Sequence, residues 1–229
     1  MARPFGRRPA DVPLPDGSSR MPRGWEHVAA LARAGYVEGM TTPQRSSAPD
    51  LPVPARAAVS LEEDTRLDAA VTTMSEVMAP LDDSPTGDAL RGKWLGHALH
   101  LVLTDLPIGM FTATAVLDVF GGAESRDAAQ RLVAVGLLGA APAAVTGWAE
   151  WTRADRPAQR VGVAHAAMNA AALVLYAGSW AARRGGRHGF GAVLATGGAG
   201  LLGAAAYLGG HLTTVRKVSS RHPAFEPTA

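Results

Sequence analysis

Four long apolar segments decide what this chain can fold into, because each is close to the ~20 residues that a helix needs to cross a bilayer core. They cover residues 94–119, 132–151, 161–182 and 190–212. None of them carries a charged face, which a soluble Ala-rich helix bundle would need. Short polar connections join them and favour antiparallel neighbours. The sequence therefore predicts an all-α fold, an integral membrane up-down four-helix bundle.

Composition divides the chain into four regions. The first is rich in Pro, Ser and Arg without hydrophobic periodicity, which predicts a disordered tail. The second contains one amphipathic helix and a linker, the third holds the four spans, and the last is a short C-terminal tail. In chain order these regions are residues 1–58, 59–90, 91–217 and 218–229.

The amphipathic helix is predicted over residues 60–79. Ser60 and Glu63 form a capping-box pattern, in which the two side chains satisfy free backbone amides at a helix start. Apolar residues then recur at helical spacing, and acidic residues occupy the opposite face. Because anionic lipid would repel that face, we expect the helix to dock against protein.

Lys and Arg residues near the span ends predict the orientation, since cytoplasmic loops carry the excess of positive charge. The face where the first span begins has Arg91, Lys93, Arg153, Arg156, Arg160, Arg216, Lys217 and Arg221, and the opposite face has Arg126, Arg131, Arg183, Arg184 and Arg187. We therefore expect a multi-pass protein of the cell inner (plasma) membrane with both termini in the cytoplasm. The acidic helix would then lie on the cytoplasmic side, where Arg153, Arg156 and Arg160 attract it.

Charge and cysteine content exclude several functions. The net charge of +2 is too small to favour nucleic-acid binding. The absence of Cys excludes disulfides, thiolate-ligated iron–sulfur clusters, c-type haem and a Cys nucleophile, and leaves b-type haem or a His/carboxylate metal site open. The sequence has no nucleophile motif, phosphate-binding loop or metalloprotease signature, so it gives little support to enzymatic turnover.

Four histidines lie in or beside the predicted spans. His97 and His100 share a face at the start of the first span, His165 lies in the third, and His211 ends the fourth. Because antiparallel spans alternate in direction, all four lie toward the same membrane face. Ionisable groups at membrane depth are costly and usually mark a site or a pathway, so we predict a His-lined site near that face.

Three more polar residues bear on this site. Asn169 lies one turn beyond His165 on the same helix face. Asp105 lies about halfway through the first span and is the candidate midplane carboxyl group. Asp118, at the far end of that span, is expected to be solvated or to face a loop.

Imidazole inside a helix bundle suits three functions. It ligates haem iron or another metal through a neutral nitrogen, relays protons with a carboxyl group such as Asp105, or hydrogen-bonds a quinone carbonyl. His100 and His165, at similar depth on different helices, are the pair that a bis-His b-type haem or a metal would require. His97 with His211 is the second choice.

The same residues also have plain structural interpretations. His97 and His211 would anchor the bundle at headgroup level, as interfacial side chains often do. His165 and Asn169 would form an interhelical hydrogen bond and nothing more. Asp105 would be neutral and satisfied by a neighbouring helix.

Several short motifs resemble a bacterial four-helix membrane domain, the family called domain of unknown function 2231, over about residues 65–217. They are GHALH (96–100), TDLPIG (104–109), TGW (146–148), VAHAAMN (163–169) and YLGGHL (207–212). The resemblance implies a membrane protein without established catalytic residues. Some similar proteins continue into a Rieske-type iron–sulfur domain, which implies electron transfer; we expect that domain to be absent here, since the chain has no Cys.

Together these features favour a small electron-transfer accessory subunit with a b-type haem or a quinone at the His-lined site. Its partners would be the lipid bilayer and a redox or respiratory complex on the cytoplasmic side. The alternative is a cofactor-free structural anchor or assembly factor for a partner complex. Ion or proton movement through Asp105 is a third interpretation, but the spans show no inverted repeat of the transporter kind.

Overall fold

The computed structural model describes residues 51–219, and the predicted tail before residue 51 and the chain end after residue 219 lie outside the described residues. The described part contains α-helices and short 3₁₀ turns, and no strand. The α-helices are Val53–Glu63 (α1), Asp68–Met78 (α2), Pro85–Leu90 (α3), Leu99–Phe120 (α4), Arg126–Trp151 (α5), Arg156–Arg184 (α6) and His188–Thr214 (α7).

Helices α4 to α7 are the four predicted spans, and each is long and apolar enough to cross a membrane. This confirms the all-α, four-helix membrane fold. The first span begins at Leu99 and not at residue 94, because turns occupy the preceding residues. In those turns Gly92 and Gly96 have φ of 76°, a left-handed conformation that disfavours other residues. His97 therefore precedes α4 and does not share a helix face with His100, contrary to the prediction.

The four helices form two hairpins. Helices α4 and α5 make the first hairpin, and α6 and α7 make the second. Between the hairpins lies a core cluster of Phe111, Val133, Tyr176 and Ala195, all buried. Because this cluster takes one residue from each helix, it fixes all four helices around one centre.

The region before the spans differs from its prediction. The single helix expected over residues 60–79 is two helices, α1 and α2, separated at Asp64. Ser60 and Glu63 do not start a helix, because α1 already begins at Val53 within the segment predicted as tail. Ala58 on α1 is fully buried against α6 and α7, and this burial extends the helix backward past the capping-box pattern.

Ion pairs hold α2 against the start of α6, as the sequence predicted. Arg160 donates to both carboxylate oxygens of Asp68 at 2.8 Å, and Arg156 donates to the same carboxylate at 3.1 Å. Arg153 pairs with Asp82 and Asp83 in the following linker. The hydrogen bonds from Arg160, with those from Arg156, lower the pKa of Asp68 below its ordinary value.

Candidate functional site

His100 sits in the first turn of α4 with its ring against α5. Its Nδ1 lies 2.8 Å from the backbone oxygen of Ala143. A backbone carbonyl only accepts hydrogen bonds, so Nδ1 carries the hydrogen and donates, and in the neutral ring Nε2 keeps its lone pair. The ring packs on Gly147, where an added Cβ would lie 2.8 Å from the ring Cε1. The glycine thus makes the seat for the imidazole.

His165 has the same setting in the second hairpin. Its Nδ1 lies 2.8 Å from the backbone oxygen of Ala205 on α7. The ring packs near Gly209, whose Cβ would lie 3.1 Å from the ring Cε1. In both hairpins the glycine follows the accepting alanine by one turn, and in both Nδ1 is the donor to the alanine carbonyl.

The two imidazoles differ at Nε2. The side-chain amide of Asn169 donates to Nε2 of His165 at 3.0 Å and to the backbone oxygen of His165 at 2.9 Å. The residue one turn after His100 is Thr104, and its hydroxyl donates to the backbone oxygen of Leu101 at 2.8 Å. The Nε2 of His165 is therefore capped, whereas Thr104 leaves that of His100 uncapped.

The structure keeps Asn169 beside His165 and gives His97, His211 and Asp105 other surroundings. His97 is exposed in the turn before α4. His211 is bound to Glu62 of α1, with its Nε2 2.7 Å from Oε1, and both side chains are largely buried. The second-choice pair, His97 with His211, stays a prediction, and Nε2 of His211 is engaged by Glu62.

Asp105 lies on the outer surface of α4. Its side chain is exposed, and within residues 51–219 no hydrogen bond or ion pair reaches it, so a neighbouring helix does not satisfy it. Asp105 follows His100 by five positions, which places it roughly 140° around the helix. This geometry does not favour a proton relay between Asp105 and the histidines.

Asp118 is not solvated, and its prediction was wrong. Arg183 of α6 donates to both of its carboxylate oxygens, at 2.8 and 2.5 Å. The Arg183 side chain is 1% exposed and also donates to the hydroxyl of Ser179 at 3.1 Å. A buried charge needs such a partner, so this pair ties the two hairpins together at the end opposite the histidines.

Sequence reasoning also missed the groups that orient the imidazoles. Gly147 was visible only as one small residue among many, and Glu62 only as part of an acidic face. The usable signal was the order of residues, since Ala and Gly one turn apart recur on α5 and α7 at the level of the histidines.

The donor set limits which group would bind here. The described residues bring no three His, Asp or Glu side chains together in a way that could hold a metal ion. Two oriented imidazoles instead suit a group that carries most of its own ligands, as a porphyrin iron does. Thr104 leaves Nε2 of His100 uncapped, whereas Asn169 would have to turn away before Nε2 of His165 could act as a ligand.

Comparison with known proteins agrees with the fold. A family model described as "Predicted membrane protein (DUF2231)" matches residues 96–222, which is more than half of the chain. This match covers all four long helices and both histidines of the site. No curated protein and no solved structure matches the chain.

Proposed function

The chain belongs to the DUF2231 family of predicted membrane proteins, and we propose that it is a small electron-transfer accessory subunit in which His100 and His165 hold a b-type haem. The observation that carries this proposal is the common orientation of the two imidazoles. Each donates from Nδ1 to a backbone carbonyl at 2.8 Å and directs an unprotonated Nε2 away from that carbonyl. Histidines that ligate iron are commonly held in this way.

The residues of the site have defined tasks in this proposal. Ala143 and Ala205 fix the tautomer through their carbonyls, and Gly147 and Gly209 give each ring its place. When bound, the haem supplies one-electron transfer. The histidine seats lie within apolar helices, which limits water and favours neutral imidazole.

Quinone binding is less favoured by the same hydrogen bonds. A quinone carbonyl needs a donor, but a neutral imidazole that already donates from Nδ1 has only an acceptor at Nε2. His100 would accept a hydrogen bond from the hydroxyl of a quinol instead. Quinol contact is therefore the form in which the quinone hypothesis fits this site.

The location completes the proposal. We place both termini in the cytoplasm and the chain in the inner (plasma) membrane, supported by the excess of Lys and Arg on the face where α4 begins. The histidine site is then near the cytoplasmic face. A redox partner would approach on this side, beside the docked helices α1 and α2.

The test is a reduced-minus-oxidised absorption spectrum of the detergent-purified full chain, with pyridine extraction for haem. We expect a stoichiometric b-type spectrum that is lost in His100→Ala and that loses its low-spin form in His165→Ala. His188→Gln is the matched control, because it removes an imidazole from the opposite end of the bundle. A pure protein without haem, or a b-type spectrum that survives both alanine variants, would reject the proposal.

A second candidate function, a structural anchor, is favoured by the docking of α1 and α2. Their contacts to Arg156, Arg160 and His211 present a folded surface beside the membrane. If the chain is an anchor, it should lose its partner when α1 and α2 detach from the spans. Co-purification of a crosslinked partner with the native chain, and its loss in Arg156→Ala/Arg160→Ala, would support this function over the redox one.

A further inference from the structure

The contacts of the two hairpins repeat residue by residue. His165 follows His100 by 65 residues, and Ala205 follows Ala143 by 62. Both histidine-to-carbonyl distances are 2.8 Å. The glycine seats repeat at the same spacing on the second helix of each hairpin, since Gly209 follows Gly147 by 62 residues.

The repeat continues at the aromatic level of the bundle. Tyr176 follows Phe111 by 65 residues, and Gly198 follows Gly136 by 62. Each ring covers its own glycine, where a Cβ would lie 2.5 Å from Phe111 and 2.8 Å from Tyr176. The two rings stack on each other with centroids 3.8 Å apart and planes 14° apart.

A third pair of corresponding residues lies at the end of the bundle opposite the histidines. Arg183 follows Asp118 by the same 65 residues, and these two side chains form the buried ion pair. Helix α7 also covers the residues of α5 shifted by 62, because Arg126–Trp151 corresponds to residues 188–213. At two levels, therefore, corresponding residues of the two hairpins touch each other.

Corresponding residues that touch must lie beside a symmetry axis. Helices α4 and α6 run in the same direction, so the axis relating them runs along the bundle, as in parallel membrane repeats. It passes between Phe111 and Tyr176 and between Asp118 and Arg183. His100 and His165 are then placed on either side of this axis toward the other end.

We infer that residues 99–214 are two copies of one helical hairpin related by this pseudo-twofold axis. His100 and His165 are the two halves of one site at this axis, and Asn169 is the positioning residue that makes these halves unequal. The ligand binds first to the uncapped Nε2 of His100, and reaches His165 only after the Asn169 amide has been displaced. The identity of the ligand, an iron porphyrin that His100 and His165 would hold, rests on the proposed function. The inequality of the two halves does not.

The internal repeat supplies the matched variants. Asn169→Thr gives the second half the residue of the first, Thr104→Asn gives the first half the residue of the second, and the double variant exchanges them. Each is made in the full chain and titrated with haemin, and the spin state is read by absorption and electron paramagnetic resonance. His100→Ala and His165→Ala are then added to the native and the exchanged chains.

We expect the two alanine substitutions to change places, between the native and the exchanged chain, in how much haemin affinity each one costs. In the native chain, His100→Ala weakens haemin binding by about tenfold or more, whereas His165→Ala leaves five-coordinate, high-spin haemin bound with a smaller loss. In the exchanged chain His165→Ala becomes the more damaging change. The same order in both chains, or a larger loss from His165→Ala in the native chain, would overturn the inference.

A ligand-free measurement separates this inference from the haem proposal. In ¹⁵N-histidine-labelled protein, the Nε2 resonances of His100 and His165 should differ, and Asn169→Thr should make them alike. If they do so but no variant binds haemin, the haem proposal fails and the unequal halves stand. If Asn169→Thr leaves the His165 resonance unchanged, the inference fails whatever the haemin result.

Discussion

The first and second hairpins share one scaffold and differ in a few side chains. Both seat a histidine between an alanine carbonyl and a glycine, and both place an aromatic ring at the axis. Only the second caps its histidine, through Asn169, and only the first exposes a carboxyl group, Asp105, toward the membrane. Packing residues thus fix where the two imidazoles lie, while single polar residues make their surroundings differ.

The largest effect on stability should come from the ion pair between Asp118 and Arg183, which lies at the pseudo-twofold axis. Asp118→Arg or Arg183→Asp alone leaves two like charges buried, and breaking a buried pair costs about 3–5 kcal/mol. We expect a large fall in the thermal unfolding midpoint of the detergent-solubilised protein. The double variant Asp118→Arg/Arg183→Asp exchanges corresponding positions of the repeat and should recover much of that loss.

A matched control for this pair is Arg184→Ala, because Arg184 is exposed next to the buried Arg183. Its unfolding midpoint should stay near that of the native chain, whereas Arg183→Ala should lower it. If the double variant were no more stable than either single variant, the pair would not relate the two hairpins in the way the repeat requires.

Substituting the glycines that face the histidine rings should have the next largest effect, and this effect should differ between the two hairpins. In Gly147→Ala the new Cβ would lie 2.8 Å from His100, so the ring must move from its carbonyl; such overpacking costs about 1–3 kcal/mol. In Gly209→Ala the contact is 3.1 Å and a smaller shift suffices. We expect haemin affinity and thermal stability to fall more in the first variant.

Gly203→Ala is the control for both, since nothing lies within 4 Å of its added Cβ. A helical Gly is less stable than Ala by roughly 1 kcal/mol, so this variant should be neutral or slightly more stable. Equal losses in Gly147→Ala and Gly203→Ala would show that helix propensity, and not the histidine seat, controls the effect.

Hydropathy sufficed to predict the four spans, but not the contacts between them. Within the corresponding helices the only identical residue on α4 and α6 is His, and on α5 and α7 the identities are Leu, Gly and Ala. In an Ala- and Gly-rich chain such matches also arise by chance. The repeat is therefore shown by the contacts of Phe111 with Tyr176 and of Asp118 with Arg183, which the sequence does not reveal. A charged residue near a span end looks solvated until its distant partner is known.

The positions of the candidate residues were predicted in the same partial way. His100 and His165 followed from depth along antiparallel spans, because that argument needs only the helix rise. The turn at Gly92 and Gly96, which removes His97 from α4, depends on backbone conformation that periodicity does not report. The pairing of His211 with Glu62 depends on tertiary docking, which a single sequence does not encode locally.

The smallest expected effect is a pH dependence of hydrogen exchange that differs between the two hairpins, because α2 is docked on the second hairpin. Hydrogen bonds from Arg160, and then Arg156, lower the pKa of Asp68 in the folded chain. Its contribution to docking is therefore present above the unfolded pKa, about 3.9, and is lost as the pH falls through the folded value. Hydrogen exchange of α2 should rise in acid while that of α4 stays unchanged. Asp68→Asn should raise exchange in α2 already at neutral pH, whereas Glu63→Gln, on an exposed side chain, should not; acid-induced exchange that is the same in Asp68→Asn and the native chain would assign the effect to another group.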